Sequence, residues 1–175
     1  MLTRAVLVMC MLAASQAAAA QPWTVDAGAT VLPEAWDYNE SREVLTGVTI
    51  GVARAVWRPL AVRVEGLLLN VAQQPRDAWT AGFTMGVQSR WRLRRGHPYA
   101  DLAVGLSRAE APVPQRGTRS NYVIVAGGGL MVAAGRGWVQ VGARWLHLSN
   151  AGRVGKNRNP DVQAIGLTLG VVWPF

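Results

Sequence analysis

The chain has 175 residues, of which 50% are hydrophobic and 16% are charged, with 19 Gly and 8 Trp. This length suits one domain and excludes a large two-domain enzyme, while the low charge and high aromatic content exclude a disordered chain. The formal net charge is +8, and it comes almost entirely from arginine, because Lys156 is the one lysine.

The first twenty residues have the pattern of a secretory signal peptide. Arg4 precedes an apolar stretch of about ten residues, and three alanines at 18–20 form a cleavage pattern. That stretch is too short to span a bilayer, which needs about 20 apolar residues. We therefore predict that residues 1–20 are removed and that residues 21–175 are exported. Because Cys10 lies in the removed segment, disulfides and cysteine-based catalysis or metal binding are excluded.

The exported part alternates between bulky apolar residues and small or polar ones. The clearest case is residues 78–93, whose apolar face begins at Trp79 and ends at Trp91. A period of two predicts a β-strand, and this one is far longer than the usual globular strand of about 5–6 residues. The same pattern predicts eight strands. They are residues 23–31, 44–52, 60–68, 78–93, 101–106, 120–133, 139–145 and 164–173.

The two faces of these strands predict a membrane barrel. One face is a continuous band of bulky apolar residues, and the other consists of Gly, Ala and Thr with a few charges. A narrow barrel needs small residues inside and an apolar exterior toward lipid. We therefore predict an all-β fold, an eight-stranded antiparallel transmembrane β-barrel of the bacterial outer membrane. The residues expected to pair inside it are Arg63, Arg90, Arg92, Arg144, Glu65 and Asp101.

The connections between the predicted strands alternate in length. Residues 33–42, 72–77, 109–119 and 150–160 form the longer ones, and short turns lie around 58–59, 94–98 and 135–137. Outer-membrane barrels have long extracellular loops and short periplasmic turns. With both termini on the periplasmic side, all four longer connections are expected on the extracellular side. The last strand closes at Phe175, as is typical of such barrels.

One polar cluster lies at the end of the seventh predicted strand. His147 and Ser149 are two residues apart, which in a strand places them on one face about 7 Å apart. They share the parity of Val139, Val141 and Trp145, so we expect both to point outward toward lipid in the outer leaflet. The alternative is that His147 is an interfacial histidine and that Ser149 and Asn150 form a cap at the start of the loop, with no catalytic role.

Residues 147–152, His-Leu-Ser-Asn-Ala-Gly, resemble a known signature when taken with Asn159-Pro160 and the final strand ending at Phe175. The resemblance is to the C-terminal part of the lipid A 3-O-deacylases. These are eight-stranded outer-membrane barrels that hydrolyse the ester-linked acyl chain at the 3-position of lipid A. The similarity is strong near the C-terminus and elsewhere is one of architecture and length.

The resemblance implies a role for each of these residues. Ser149 is expected to be the nucleophile and His147 the general base. Asn150, with backbone N–H groups near Gly152, is expected to donate to the oxyanion. The implied substrate is lipid A of lipopolysaccharide. No cofactor and no metal are expected.

The chain departs from the family at the acidic member of the triad. The family has a glutamate in an Asn-x-Gly-x-Glu arrangement. Here Asn159 is followed by Asp161 at the glycine position and Gln163 at the glutamate position. Three interpretations stay open. Asp161 supplies the acid, Gln163 orients the imidazole as a neutral partner, or the protein is inactive.

The basic residues beside the site are Arg153, Lys156 and Arg158. They suit the phosphates of lipid A, although arginines on any such barrel would also bind lipopolysaccharide. An exported barrel makes nucleic acid an improbable partner. The competing functions are a non-catalytic small barrel with a structural, adhesive or resistance role, and a soluble lipocalin-like carrier with an apolar interior. The oligomeric state stays open, a dimer included.

Overall fold

The protein is a closed barrel of eight antiparallel strands, each paired with the next, with the last strand returning to the first. The computed structural model describes residues 23–36, 41–94, 96–155 and 159–175. The predicted fold class is confirmed, whereas the predicted signal peptide lies outside the described residues. The strands are β1 (Trp23–Trp36), β2 (Val44–Trp57), β3 (Leu60–Ala72), β4 (Ala78–Arg90), β5 (His97–Val113), β6 (Thr118–Ala134), β7 (Gly137–Ser149) and β8 (Val162–Pro174).

The exterior of the barrel is a broad apolar belt. Residues of one parity in each strand, such as Ile50, Phe83 and Leu167, leave about half or more of their surface exposed. Exposed tryptophans lie toward both ends of this belt, including Trp79 and Trp173. A closed sheet with its bulky side chains outside suits a lipid surround, because all its backbone groups pair within the wall. No helix in the described part of the chain is long and apolar enough to cross a membrane.

The middle of the lumen contains a paired charge network. Glu65, which is 1% exposed, lies between Arg63 and Arg144, at 2.5 Å and 3.0 Å respectively. Arg63 also pairs with Asp26, and Arg144 lies 3.5 Å from Asp101. Each charge of this network therefore faces an opposite one, which offsets its desolvation.

Two details of the predicted network need correction. Arg92 is exposed beyond the end of β4, because the strand ends at Arg90 and the chain turns before Arg92 can enter the lumen. Asp26 joins the network through Arg63, although it had not been expected there. Arg90 lies inside but bonds neutral oxygens, those of Gln88 at 2.5 Å and Thr24 at 3.1 Å.

The lumen is not filled only by small and charged residues, as had been expected. At the end where β7 finishes, a buried apolar cluster fills the barrel, because a closed wall of this width leaves a space there that has to be packed without voids. The buried Glu34 and Glu43 lie at the same end, where the Glu43 backbone N–H donates to Glu34 Oε2 at 3.2 Å. The larger members of the apolar cluster, all 6% exposed or less, are Leu32, Leu45, Leu67, Leu69, Val71, Val113, Val123, Val125, Leu146, Leu148 and Val162. The prediction that the bulky apolar residues all face outward is therefore wrong at this end.

Strands β1, β3, β5 and β7 finish at this end, which we call the long-loop end, and β2, β4, β6 and β8 finish at the other, the short-turn end. The predicted alternation of connection lengths is wrong in part, because connection 91–96 between β4 and β5 is longer than connections 73–77 and 114–117. The predicted loop 109–119 is mostly strand, since Val113 pairs with Thr118 across a tight connection. Continued alternation of buried Ala109 and exposed Glu110 explains the extension. At the short-turn end His97 begins β5 and contacts the ring of Trp138 edge-on at 5.9 Å.

Candidate active site

His147 and Ser149 lie on the outward face of β7 at the long-loop end. Leu148 lies between them and Leu146 comes before them, and both leucines belong to the buried apolar cluster. Since alternate residues of a strand face opposite sides, the histidine and serine face away from the lumen. In the register of the wall, His147 lies opposite Gln163 of β8, and Ser149 lies opposite Tyr122 of β6.

The chain turns sharply directly after Ser149. The backbone N–H of Ala151 donates to Ser149 Oγ at 3.0 Å, and that of Gly152 donates to Asn150 Oδ1 at 2.9 Å. These side-chain turns are typical of Ser and Asn at a loop start. Ala151 and Gly152 have φ of 55° and 71°. The left-handed conformation is natural for glycine and costs about 1 kcal/mol for alanine, so the turn holds local strain beside the serine.

Asn159 ties the far end of the loop back to Ser149. Its Oδ1 accepts from the Ser149 hydroxyl at 3.0 Å and from the backbone N–H of Asn150 at 2.9 Å. Asn159 is the first residue of the family pattern, but it is not among the site residues predicted from the sequence. Its place as the first residue of that pattern was the signal that could have singled it out.

Asp161 is the carboxylate nearest to His147 among the described ion pairs. The distance from His147 Nδ1 to Asp161 Oδ2 is 3.5 Å, and the two side chains are 18% and 30% exposed. His147 Nδ1 makes no hydrogen bond within the described residues. The contact is therefore an electrostatic one at this separation.

Gln163 is bound to the carboxylate rather than to the histidine, although it lies opposite His147 in the sheet. Its Nε2 donates to Asp161 Oδ2 at 2.7 Å, and its Oε1 accepts from Trp145 Nε1 at 3.2 Å. The Trp145 ring also stacks on the His147 ring, with centroids 5.9 Å apart and planes at 21°. Trp145, Gln163, Asp161 and His147 thus form one outward-facing cluster.

The residues expected to bind an oxyanion are bonded to each other. The Gly152 N–H donates to the side chain of Asn150, a residue that is only 3% exposed. The structure therefore places both residues beside Ser149, with the Gly152 donor occupied by an internal acceptor. An incoming anionic oxygen would have to replace the Asn150 oxygen at this N–H.

Of the three basic residues expected at the site, the structure describes Arg153. Its guanidinium carbon lies 5.5 Å from the centre of the Tyr122 ring, a cation–π contact on the outer wall. Lys156 and Arg158 lie outside the described residues. Among the residues that are described, no group of three or more His, Cys, Asp or Glu side chains is placed to hold a metal ion.

The model of the lipid A 3-O-deacylase (PagL) family matches residues 42–172 of the chain. The chain belongs to this family. The match covers strands β2 to β7 and most of β8, including the whole cluster around His147 and Ser149. The resemblance read from the C-terminal residues is therefore confirmed. A comparison with curated protein sequences finds no match.

Two solved structures are similar in fold. Neisserial surface protein A (NspA) has a TM-score of 0.69 at 14% identity, covering 87% of this chain and 97% of its own. The outer membrane enzyme PagL has a TM-score of 0.58 at 16% identity, covering 86% of this chain and 99% of its own. At these identities the likeness establishes the fold alone. Together with the family, it supports a location in the bacterial outer membrane.

Proposed function

We propose that this PagL-family chain is an outer-membrane serine esterase that hydrolyses the ester-linked acyl chain at the 3-position of lipid A. The observation that carries the proposal is the outward cluster of Ser149, His147 and Asp161 at the long-loop end of an apolar belt. Nucleophile, base and carboxylate are the three parts that acyl transfer from an ester needs.

In the proposed mechanism, Ser149 Oγ attacks the ester carbonyl and His147 takes its proton. Because Nδ1 of His147 faces Asp161, Nε2 is the nitrogen left to serve Ser149. The serine hydroxyl now donates to Asn159, so it must rotate about its Cα–Cβ bond toward the imidazole when substrate binds. Such hydrogen bonds often form only in the substrate complex. His147 then gives the proton to the 3-hydroxyl leaving group, and water releases the fatty acid from Ser149.

We assign the acid to Asp161 and a positioning role to Gln163. The 3.5 Å approach of Asp161 to Nδ1 supports the first assignment, and the 2.7 Å bond from Gln163 to the same carboxylate supports the second. The family's single glutamate is then replaced by a pair. Asp161 supplies the charge that stabilises imidazolium, and Gln163 with Trp145 holds that charge in place.

The oxyanion is proposed to bind at the turn after Ser149. The Gly152 N–H is one expected donor, and the Asn150 amide can rotate to present its own N–H once the substrate oxygen replaces it. A single donor of this kind contributes roughly 2.7–4 kcal/mol of transition-state stabilisation. Arg153, with Lys156 and Arg158 of the same loop, is proposed to bind phosphates of lipid A, and no cofactor is needed.

The test is mass spectrometry of lipid A from cells expressing the protein. Wild type should remove one ester-linked hydroxyacyl chain, and Ser149→Ala and His147→Ala should each abolish the loss. Ser89→Ala and His97→Ala, which change the same residue types near the short-turn end, are the matched controls and should retain activity. An unchanged lipid A profile from folded wild-type protein would refute the enzyme and leave the non-catalytic barrel.

A further inference from the structure

A groove of about 320 Å³ lies on the outer wall across β4, β5 and β6. Its lining includes the outward side chains of Ala81, Phe83 and Leu106, which we call the apolar floor, and the cationic side chains of Arg108 and Arg153. Polar residues also line it, namely Ser107, Ser120 and Asn121. Small ligand sites begin at about 300 Å³, so the groove has room for part of a lipid. Its Arg153 comes from the loop that follows Ser149, which joins the groove to the proposed catalytic site.

The register of the wall places the groove level with the nucleophile. Phe83 pairs with Leu106, Leu106 with Tyr122, and Tyr122 with Ser149. Adjacent strands lie about 4.8 Å apart, so the Leu106 backbone is about 10 Å from that of Ser149. Arg108 lies two residues further along β5, about 7 Å nearer the long-loop end.

The charged and apolar parts of the groove are arranged like the head group and acyl chain of an anionic lipid. At the level of Ser149 the groove is lined by the hydrocarbon side chains of Phe83 and Leu106. Arg108, opposite Ser120 of β6, lies nearer the long-loop end, and Arg153 belongs to the loop at that end. No Asp or Glu lines the groove among the described residues. Glu110, two residues beyond Arg108 on the same face, is directed to the Trp79 N–H at 3.4 Å. Arginine recognises phosphate through paired, charge-assisted hydrogen bonds.

We propose that this groove is the subsite for a phosphate of the glycolipid and the acyl chain next to it. Arg108 and Arg153 bind the phosphate, and the chain lies on Phe83 and Leu106. The substrate then extends from Ser149 across β6 toward β4, away from the β8 side occupied by Asp161. This inference rests on the proposed function for its substrate, and binding alone can test it.

The binding experiment uses Ser149→Ala protein in neutral detergent micelles, so that no chain is removed during the measurement. Native mass spectrometry compares bisphosphorylated with dephosphorylated lipid A. We expect tighter binding of the phosphorylated form, weakened about ten-fold by adding Arg108→Gln, with partial rescue by Arg108→Lys. Arg136→Gln, which removes an exposed charge at the short-turn end, should have no effect. Equal effects of the two glutamine variants would overturn the subsite.

A second measurement tests the apolar floor. Leu106→Trp fills the groove without touching Ser149 or His147, so it should raise KM for lipid A about ten-fold while kcat changes little. An unchanged KM would overturn the placement of the chain. The two proposals fail separately. Phosphate-dependent binding without deacylation would refute the enzyme and keep the subsite. Deacylation that is unchanged by Arg108→Gln and Leu106→Trp would refute the subsite and keep the enzyme.

Discussion

Replacing Asp161 by Asn tests which residue supplies the acid. The amide occupies the same volume and can still accept the 2.7 Å hydrogen bond from Gln163, so the geometry of the outward cluster should persist. What the substitution removes is the negative charge 3.5 Å from His147 Nδ1. The change therefore isolates the electrostatic stabilisation of imidazolium in the transition state.

The expected loss follows from the distance and the exposure. Unit charges 3.5 Å apart attract by about 1 kcal/mol in bulk water and by about 5 kcal/mol at an effective dielectric constant of about 20. The side chains are 18% and 30% exposed, which places the pair between these limits. A loss of about 3 kcal/mol corresponds to roughly a 100-fold fall in kcat.

The assay follows release of hydroxy fatty acid from lipid A in mixed micelles at saturating substrate. Asp161→Asn should lower kcat about 100-fold, and Gln163→Ala should lower it less, because it loosens the carboxylate without removing it. Asp77→Asn, at the same end of the barrel but in connection 73–77, is the matched control and should be neutral. If Asp161→Asn stays within about three-fold of wild type, or if Gln163→Ala is the weaker enzyme, the assignment is wrong.

Three further predictions concern residues around the site and in the lumen. Glu65→Gln leaves two buried guanidinium groups without their shared carboxylate and should lower the free energy of unfolding by about 3–5 kcal/mol. Urea titration in detergent measures this, and an unfolding midpoint equal to that of Glu110→Gln would contradict it. Asn159→Ala removes the acceptor of two hydrogen bonds at the loop and should lower kcat about ten-fold, whereas Asn159→Asp should retain more activity. A wild-type kcat in Asn159→Ala would refute the role of Asn159 in holding Ser149. Gly152→Ala strains a position with φ of 71° and should lower both thermal stability and kcat, by about 1 kcal/mol in stability; an unchanged melting temperature would count against the strain.

The strand count and the outward face could be read from the sequence because both depend on a local period of two. Residues 67–69 show where that signal fails. The period of two correctly places Leu68 outside with Val62 and Val64. It gives no reason for the bulky Leu67 and Leu69 on the opposite face, which was expected to carry small or charged residues and which they fill instead. Their burial depends on closure of the barrel, which brings leucines from distant strands together.

The candidate site was only partly accessible from the sequence for the same reason. His147 and Ser149 are neighbours on one strand, so their common face follows from spacing. Asp161 and Gln163 have the same parity, and only the register between β7 and β8 and the bond between the two side chains separate their roles. The link from Asn159 to Ser149 spans a twelve-residue connection, 150–161, and could not be derived from spacing.

The outward direction of His147 and Ser149 has a kinetic consequence. If the substrate is a lipid of the surrounding leaflet, it reaches the serine by lateral diffusion in two dimensions and never passes through water. The quantity that controls the rate is then the mole fraction of lipid A in the surface, and dilution with inert amphiphile should slow turnover even when the bulk concentration is fixed. The leaflet then both surrounds the barrel wall and supplies the substrate.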